Sequence, residues 1–155
     1  MLSDRLVRMI EEHADELTRA LDEDLKSNLR TASYHRLSQE TIRHRTYQVY
    51  TELGVWLNSK AESDIESNFT ELGKKREGEG VPLGDLVYAL ILTKYHLRDY
   101  IRDAGLGSSA VELYQVQELH RLLGSFFDRA IYYAVRGYER AANLRETAGA
   151  LQGAH

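Results

Sequence analysis

The last third of the chain contains the stretch that decides the fold, SAVELYQVQELHRLLGSFFDRAIYYAVRGYERAANLR at residues 109–145. Apolar residues recur there at spacings of three and four, which is the period of one face of an α-helix. They form a seam that comprises Val116, Leu119, Leu123, Phe126, Ala130, Ala134 and Tyr138. Such a seam packs either inside a helical bundle or against a copy of itself.

The length of this helix favours the second use of the seam. An unbroken helix over residues 109–145 would be about 55 Å long at about 1.5 Å per residue, which is longer than the other predicted helices can cover. We therefore predict that the seam is the interface of a homodimer, and that the end of the helix projects or meets a partner. Gly124 and Gly137 are predicted to bend the helix or to let another helix approach closely.

Four more amphipathic helices are predicted before this one. Their approximate ranges are Ser3–Asn28, Ser38–Asn58, Lys60–Arg76 and Pro82–Ala104. Ser38 is a good N-cap, and Ser109 followed by Glu112 is a capping box for the last helix. Gly105 is placed to end the fourth helix in a left-handed conformation. The run LVYALIL at residues 86–92 is apolar on nearly all sides, which predicts that the fourth helix is the most buried.

The fold class follows from this helical pattern. The chain has one proline in 155 residues, so long helices are permitted almost everywhere, and no alternating strand pattern is present. We predict an all-α fold of five helices, in a globin-like or bundle arrangement with a long C-terminal helix. Residues 1–146 are predicted to form a single sensory or interaction domain, followed by a flexible tail at residues 147–155.

The composition excludes several classes of function. A net charge of −4 argues against nucleic acid as a partner, and the absence of cysteine excludes disulfides and thiolate chemistry. No apolar run reaches the roughly 18 residues of a membrane span, so no membrane association is predicted. Acidic residues near the N-terminus do not fit a signal peptide, and we expect a cytoplasmic protein.

Metal and enzyme chemistry have no sequence signature in this chain. A helical metal site needs two ligands three or four residues apart, and no two histidines have that spacing. The histidines are His13, His35, His44, His96, His120 and His155. Neither a di-iron glutamate and histidine pattern nor a phosphate-binding glycine loop is present. We predict no catalytic residues, no metal site and no enzyme activity.

The candidate ligand-binding residues lie in the last two predicted helices. His96 and His120 titrate near neutrality, and Tyr95 and Tyr133 are rings with a polar tip that suit the wall of a pocket. One interpretation is a cleft between the fourth and fifth helices that binds a small ligand, or haem with His96 as an axial ligand. The other is that the imidazoles sit at the core margin and that the tyrosines pack or line an interface.

A short basic cluster, Lys74, Lys75 and Arg76, ends the third predicted helix. Beside glycines, such a cluster can hold a phosphate. Cations are also favoured at a helix C-terminus, because the macrodipole is negative there. We prefer the second interpretation, which places these cations at the C-terminus of the helix.

Residues 55–101 resemble the core pattern of the RsbRD-type N-terminal domain, the helical input domain of RsbT co-antagonists and of some histidine kinases. In this pattern a Trp-Leu helix end precedes a helix that finishes in Gly-x-x-Arg, and a glycine turn leads into an apolar helix. The matching residues are Trp56, Leu57, Gly73, Arg76, Gly80, Pro82, Leu83 and the run Leu86–Tyr100.

The resemblance implies a function in signalling. It implies an all-helical input module of bacterial stress-response proteins, which is similar to haem-free globin-like sensors and dimeric through its terminal helices. It supplies no catalytic residues. The expectation is a non-catalytic input domain that relays a signal to an output protein or domain by repacking its long C-terminal helix. The alternative is a globin-like carrier or sensor of haem or a small ligand.

Overall fold

The computed structural model describes residues 4–58, 61–105 and 107–153, and every regular element in these ranges is helical. The all-α prediction is therefore confirmed. The α-helices are α1 (Asp4–Glu12), α2 (Ala14–Ser27), α3 (Gln39–Thr51), α4 (Leu53–Trp56), α5 (Glu62–Gly78), α6 (Leu83–Asp103) and α7 (Ala110–Gly153). A 3-10 helix, η1 (Leu29–Arg36), connects α2 to α3.

Two of the predicted helices are each divided in two. The first breaks at His13, which has φ −104° and ψ 20°. The second breaks at Glu52, which has φ −107° and ψ 25°. These breaks let the short α4 fold back onto α1, where Gly54 faces Val7. An apolar period gives no sign of such breaks, because the stripe continues through them.

The predicted helix ends are largely confirmed. The Ser38 hydroxyl accepts a hydrogen bond from the backbone N–H of Thr41 at 3.1 Å, and Gly105 has a φ of 66°. The Ser109 hydroxyl accepts from the N–H of Glu112 at 3.1 Å. The Glu112 carboxylate in turn accepts from the N–H of Ser108, at 3.0 Å, rather than from that of Ser109. These side chains satisfy N–H groups that have no partner within the helix.

The C-terminal helix is longer than predicted. It contains 44 residues, which corresponds to about 66 Å. It continues to Gly153, so residues 147–153, which were predicted to be a flexible tail, are helical, while residues 154–155 lie outside the described ranges. The physical reason is that the chain contains no proline after Pro82, and residues such as Ala148 and Leu151 favour helix. Gly124 and Gly137 do not interrupt it.

Helices α5 and α7 run parallel and touch backbone to backbone. Two ion pairs, Glu62 with Arg129 and Glu77 with Arg145, connect them, and both helices follow the same order along the chain. Between these ion pairs, a Cβ atom on Gly73 would lie 2.7 Å from the backbone nitrogen of Tyr138. This distance is shorter than any packing contact, so the approach of the two helices requires glycine.

The second glycine of this crossing lies on α7. A Cβ atom on Gly137 would lie 2.8 Å from the carbonyl carbon of Thr70 on α5. The prediction that Gly137 lets another helix approach closely is thus confirmed. Gly124, in contrast, would meet no described atom within 4 Å if it carried a Cβ.

The apolar seam of α7 is part of the core of its own chain, so the prediction that it forms a dimer interface is wrong. Five of its members are fully buried, and Val116 and Tyr138 are half-buried against the same core. The buried members are Leu119, Leu123, Phe126, Ala130 and Ala134. The physical reason is that α5 and α6 both pack on α7 and cover the seam within one chain.

An aromatic cluster occupies the centre of this core. The ring of Phe126 lies 6.0 Å from that of Trp56 and 5.7 Å from that of Phe69. Helix α6 packs beside it and contacts α2, η1, α5 and α7. All side chains of residues 86–92 are buried or half-buried, which agrees with the predicted central position of this helix. No helix in the described ranges has both the length and the apolar character needed to cross a lipid bilayer.

The glycine crossing yields a stability prediction with a control on the same helix. Gly137→Ala should lower the free energy of unfolding by about 3 kcal/mol or more, because the new methyl group must push α5 and α7 apart. Gly124→Ala should raise it by about 0.5–1 kcal/mol, because alanine is the better helix former and the space is open. Urea denaturation of the two variants measures both. Equal midpoints would contradict the backbone contact.

Candidate functional site

An open cleft of about 340 Å³ lies between α6 and α7, the two helices to which the sequence analysis assigned a ligand cleft. Two residues of α6 and three of α7 line it. They are Lys94, Arg98, His120, Leu123 and Gly124. Lys94 and Arg98 are four residues apart on α6, and His120 and Gly124 are four apart on α7, so each pair shares one helix face. The packing of α6 on α7 makes the two faces converge.

All polar side chains in the described lining of the cleft are basic. Among the described residues, no carboxylate lines it, and neither Lys94 nor Arg98 forms an ion pair. The guanidinium carbon of Arg98 lies 5.6 Å from the ring centroid of Tyr95, a cation–π contact that does not neutralise its charge. Two cations and an imidazole therefore share one concave surface without a compensating anion.

The charge of this cleft acts on His120. Burial and the nearby positive charge of Arg98 lower the pKa of the His120 imidazole below its ordinary value. The imidazole is therefore neutral near pH 7 and has one ring nitrogen that donates and one that accepts. An anion placed between His120 and Arg98 would remove the repulsion and favour protonation.

Gly124 keeps the cleft open. A Cβ atom at this position would meet no described atom within 4 Å, so packing does not require glycine there. Glycine in the middle of a helix costs about 0.5–1 kcal/mol relative to alanine. The missing side chain leaves room beside His120 and Leu123, where a larger residue would fill the cleft.

The other predicted ligand-binding residues do not join His120. The His96 Nε2 lies 2.8 Å from an Oδ2 of Asp24 on α2, and the Tyr133 hydroxyl donates to the Glu62 carboxylate on α5 at 2.6 Å. Tyr95 is 41% exposed and contacts the cleft only through Arg98. Of the four candidate ligand-binding residues, His120 alone is among the described residues that line this cleft. Residues adjacent in sequence on α6 point in different directions around the helix.

The hydrogen-bond partner of His96 also argues against haem binding by this residue. The His96 nitrogen that would bind iron is held by Asp24, and His120 is the only imidazole in the cleft. The described residues therefore do not form a slot with His96 as axial ligand. No group of three or more metal-binding side chains is found in the described part of the chain either.

Sequence reasoning missed Lys94 and Arg98. The available signal was two cations four residues apart, just after the apolar run of residues 86–92, together with a histidine and a glycine at the same spacing on the next helix. Each pattern alone is common on solvated helices. Only the packing of α6 on α7 shows that the two patterns share a cleft.

Comparison of the chain with protein-family models, with curated proteins and with solved structures gives no match. The resemblance of residues 55–101 to the RsbRD-type domain thus stays a prediction. Its Gly-x-x-Arg element has a local structural role in this chain. Gly73 permits the helix crossing. Lys75 and Arg76 lie in the last turn of α5, which confirms their predicted position at a helix C-terminus, and the fold leaves Arg76 only 2% exposed.

The electrostatics of the cleft predict how His120 titrates. Because burial and Arg98 disfavour the charged form, the pKa of His120 lies below 6.5 in the folded chain. The unfolded chain then binds more protons below pH 6.5, so His120 lowers stability as the pH falls through that range. Arg98→Gln should raise the pKa of His120, as measured by NMR titration of its imidazole protons. Arg102→Gln, four residues further along α6, should not; an equal effect of both would contradict the local interaction.

Proposed function

We propose that this chain is a non-catalytic sensory module that binds a small anionic molecule in the cleft between α6 and α7. The observation that supports this proposal is the lining of the cleft, which contains Lys94, Arg98 and His120 and no described carboxylate. The ligand carries a phosphate or carboxylate group, because these groups accept several hydrogen bonds from such donors. A volume of about 340 Å³ lies in the range of ordinary small-molecule sites.

Binding is favoured by relief of repulsion within the cleft. In the free chain the positive charge of Arg98 acts against protonation of His120. A bound anion reverses the sign of this local field, so proton uptake by His120 adds a third charged donor. The arrangement therefore couples anion binding to the charge of one imidazole.

Helix α7 carries the response to binding. It contributes His120 and Gly124 to the cleft and extends past the end of α5, because Arg145 pairs with Glu77 in the last turn of α5. Residues 146–153 then continue for about 12 Å with exposed side chains. A shift of α7 at the cleft moves this uncovered end, which is where an output protein or domain of a bacterial signalling pathway makes contact.

The cleft can be tested with inorganic phosphate and citrate as probes. Both should produce saturable shifts of the His120 imidazole signals in NMR titrations, and added salt should weaken the binding. Replacing both cations, Lys94→Gln with Arg98→Gln, should weaken the binding at least about tenfold, because charge-assisted hydrogen bonds are lost.

The matched control removes two cations outside the cleft. Arg36→Gln with Arg102→Gln changes the net charge by the same amount and should leave the affinity within about twofold of that of the original chain, because distant surface charges are screened. Equal losses in both double variants would show general charge attraction and refute the cleft. The absence of saturable shifts with either probe would refute it as well.

Homodimerisation stays a prediction, and we propose residues 141–151 of α7 as its contact. The spacing of the seam continues there through Ala141, Leu144, Ala148 and Leu151, and the two leucines are 70% and 67% exposed. Two copies of this stripe can pack as a short parallel coiled coil. Such packing would place the output ends of two chains side by side.

Sedimentation equilibrium tests this contact. Leu144→Asp with Leu151→Asp should weaken self-association at least about tenfold, because two apolar side chains per chain lose their burial. Leu29→Asp changes a leucine that is 91% exposed on η1 and should leave association unchanged. A chain that is monomeric at all concentrations, or that dimerises equally well with aspartate at both positions, would exclude the contact.

A further inference from the structure

A second, smaller cavity lies inside the domain, apart from the cleft. Its volume is about 40 Å³, and residues of α2, η1, α3, α5, α6 and α7 line it. One water molecule needs about 10–15 Å³, so the cavity has room for about three or four water molecules, or for slightly more non-hydrogen atoms when these are joined by covalent bonds. It is therefore too small for the ligands that fit the cleft.

The charged side chains in the described lining of this cavity are both cations, Arg45 of α3 and Arg76 of α5. Arg76 is 2% exposed, and its Nε is buried without a hydrogen-bond partner in the described structure. Its Nη1 donates to the Glu79 carboxylate at 2.9 Å, and Glu79 lies outside the lining. A buried guanidinium nitrogen without an acceptor is costly, which indicates a missing acceptor.

Arg45 adds a second positive charge. Burial and the charge of Arg76 lower the pKa of Arg45, and the exposed Glu71 only partly offsets this effect. One of its terminal nitrogens donates to the Asn68 carbonyl at 3.3 Å. Arg45 is only half-buried, so it marks the side on which the cavity approaches solvent.

The remaining wall is mainly apolar. It includes Leu25, Val49, Leu72, Leu90 and Phe127. The hydroxyl of Thr93 donates to the Ala89 carbonyl at 2.8 Å, within its own helix, so it offers no donor to the cavity. The cavity thus combines one cationic side with an apolar side, and this pairing favours a molecule that has an anionic group and a short apolar part.

We propose that this cavity binds a small monocarboxylate of the size of acetate or propionate. The carboxylate accepts from the Nε of Arg76 and faces Arg45, and the alkyl group packs against the apolar wall. Guanidinium and carboxylate form strong, directional hydrogen bonds, whereas a halide leaves the apolar part of the cavity empty. The site is independent of the cleft, since the two have no lining residue in common.

Isothermal titration calorimetry of the whole chain with sodium acetate and sodium propionate tests the proposal. Both should give saturable heats, and sodium chloride should give none. Sodium hexanoate should bind at least about tenfold more weakly than propionate, because its chain exceeds the cavity. Isotope-filtered NOEs should connect the propionate methyl group to Leu90 and Phe127. Chloride binding as strong as acetate binding, or NOEs to other residues only, would overturn the proposal.

Variants of the two sites distinguish propionate binding in the cavity from propionate binding in the cleft. Arg45→Gln should weaken propionate binding at least about tenfold, because an ion pair at a half-buried site is lost. Arg43→Gln removes an exposed cation of the same helix that does not line the cavity, and it should have no effect. Lys94→Gln with Arg98→Gln should leave propionate binding unchanged. If this cleft variant abolishes the binding while Arg45→Gln does not, the cavity proposal fails and the cleft is the carboxylate site.

Discussion

The direct backbone contact between α5 and α7 is the constraint on which the rest of the structure depends. Gly73 and Gly137 let the two helices approach until a single methyl group on either would collide with the other backbone. This approach closes the core over Phe69 and Phe126 and holds α7 in one lateral position. Helix α6 then packs against a fixed surface. The cleft at His120 and the uncovered end beyond Arg145 are both consequences of where α7 is held, because α5 covers only the middle of this long helix.

The sequence predicted the helices well because helix formation is mainly local. Apolar period, N-cap residues such as Ser38 and a left-handed glycine such as Gly105 act within a few residues of the chain. The breaks at His13 and Glu52 depend on tertiary contacts between α1 and α4, which no local period records. The use of the α7 seam could not be predicted for a related reason. An apolar stripe looks the same whether the covering surface belongs to the same chain or to a second copy.

The candidate site was predictable only in part. The sequence indicated His120 as a candidate because an imidazole titrates near neutral pH. Lysines and arginines are common on solvated helices, so the sequence alone did not indicate Lys94 and Arg98 as ligand-binding residues. Arg76 shows a second limit of sequence-based prediction, which concerns burial. Its position at a helix C-terminus was predicted correctly, but nothing in the sequence showed that the fold buries it against Tyr34, with its guanidinium carbon 5.5 Å from the ring centroid. Helix-end chemistry gives the preferred charge at a position, and only packing decides whether that position faces water.

The distribution of charge among the concave surfaces supports anion binding more strongly than either site does alone. Acidic residues outnumber basic ones, 24 to 20, so a random surface would present carboxylates at least as often as cations. A shallow concavity between α2 and α3 has such a mixture of charges, because Asp15 and Glu40 line it together with Arg43. The cleft and the inner cavity both depart from this mixture, since the charged groups that line them in the described structure are all basic. Cations that share one concave surface lower stability through mutual repulsion, and a bound anion would relieve this repulsion, so the charge distribution of both surfaces supports the proposed anion binding.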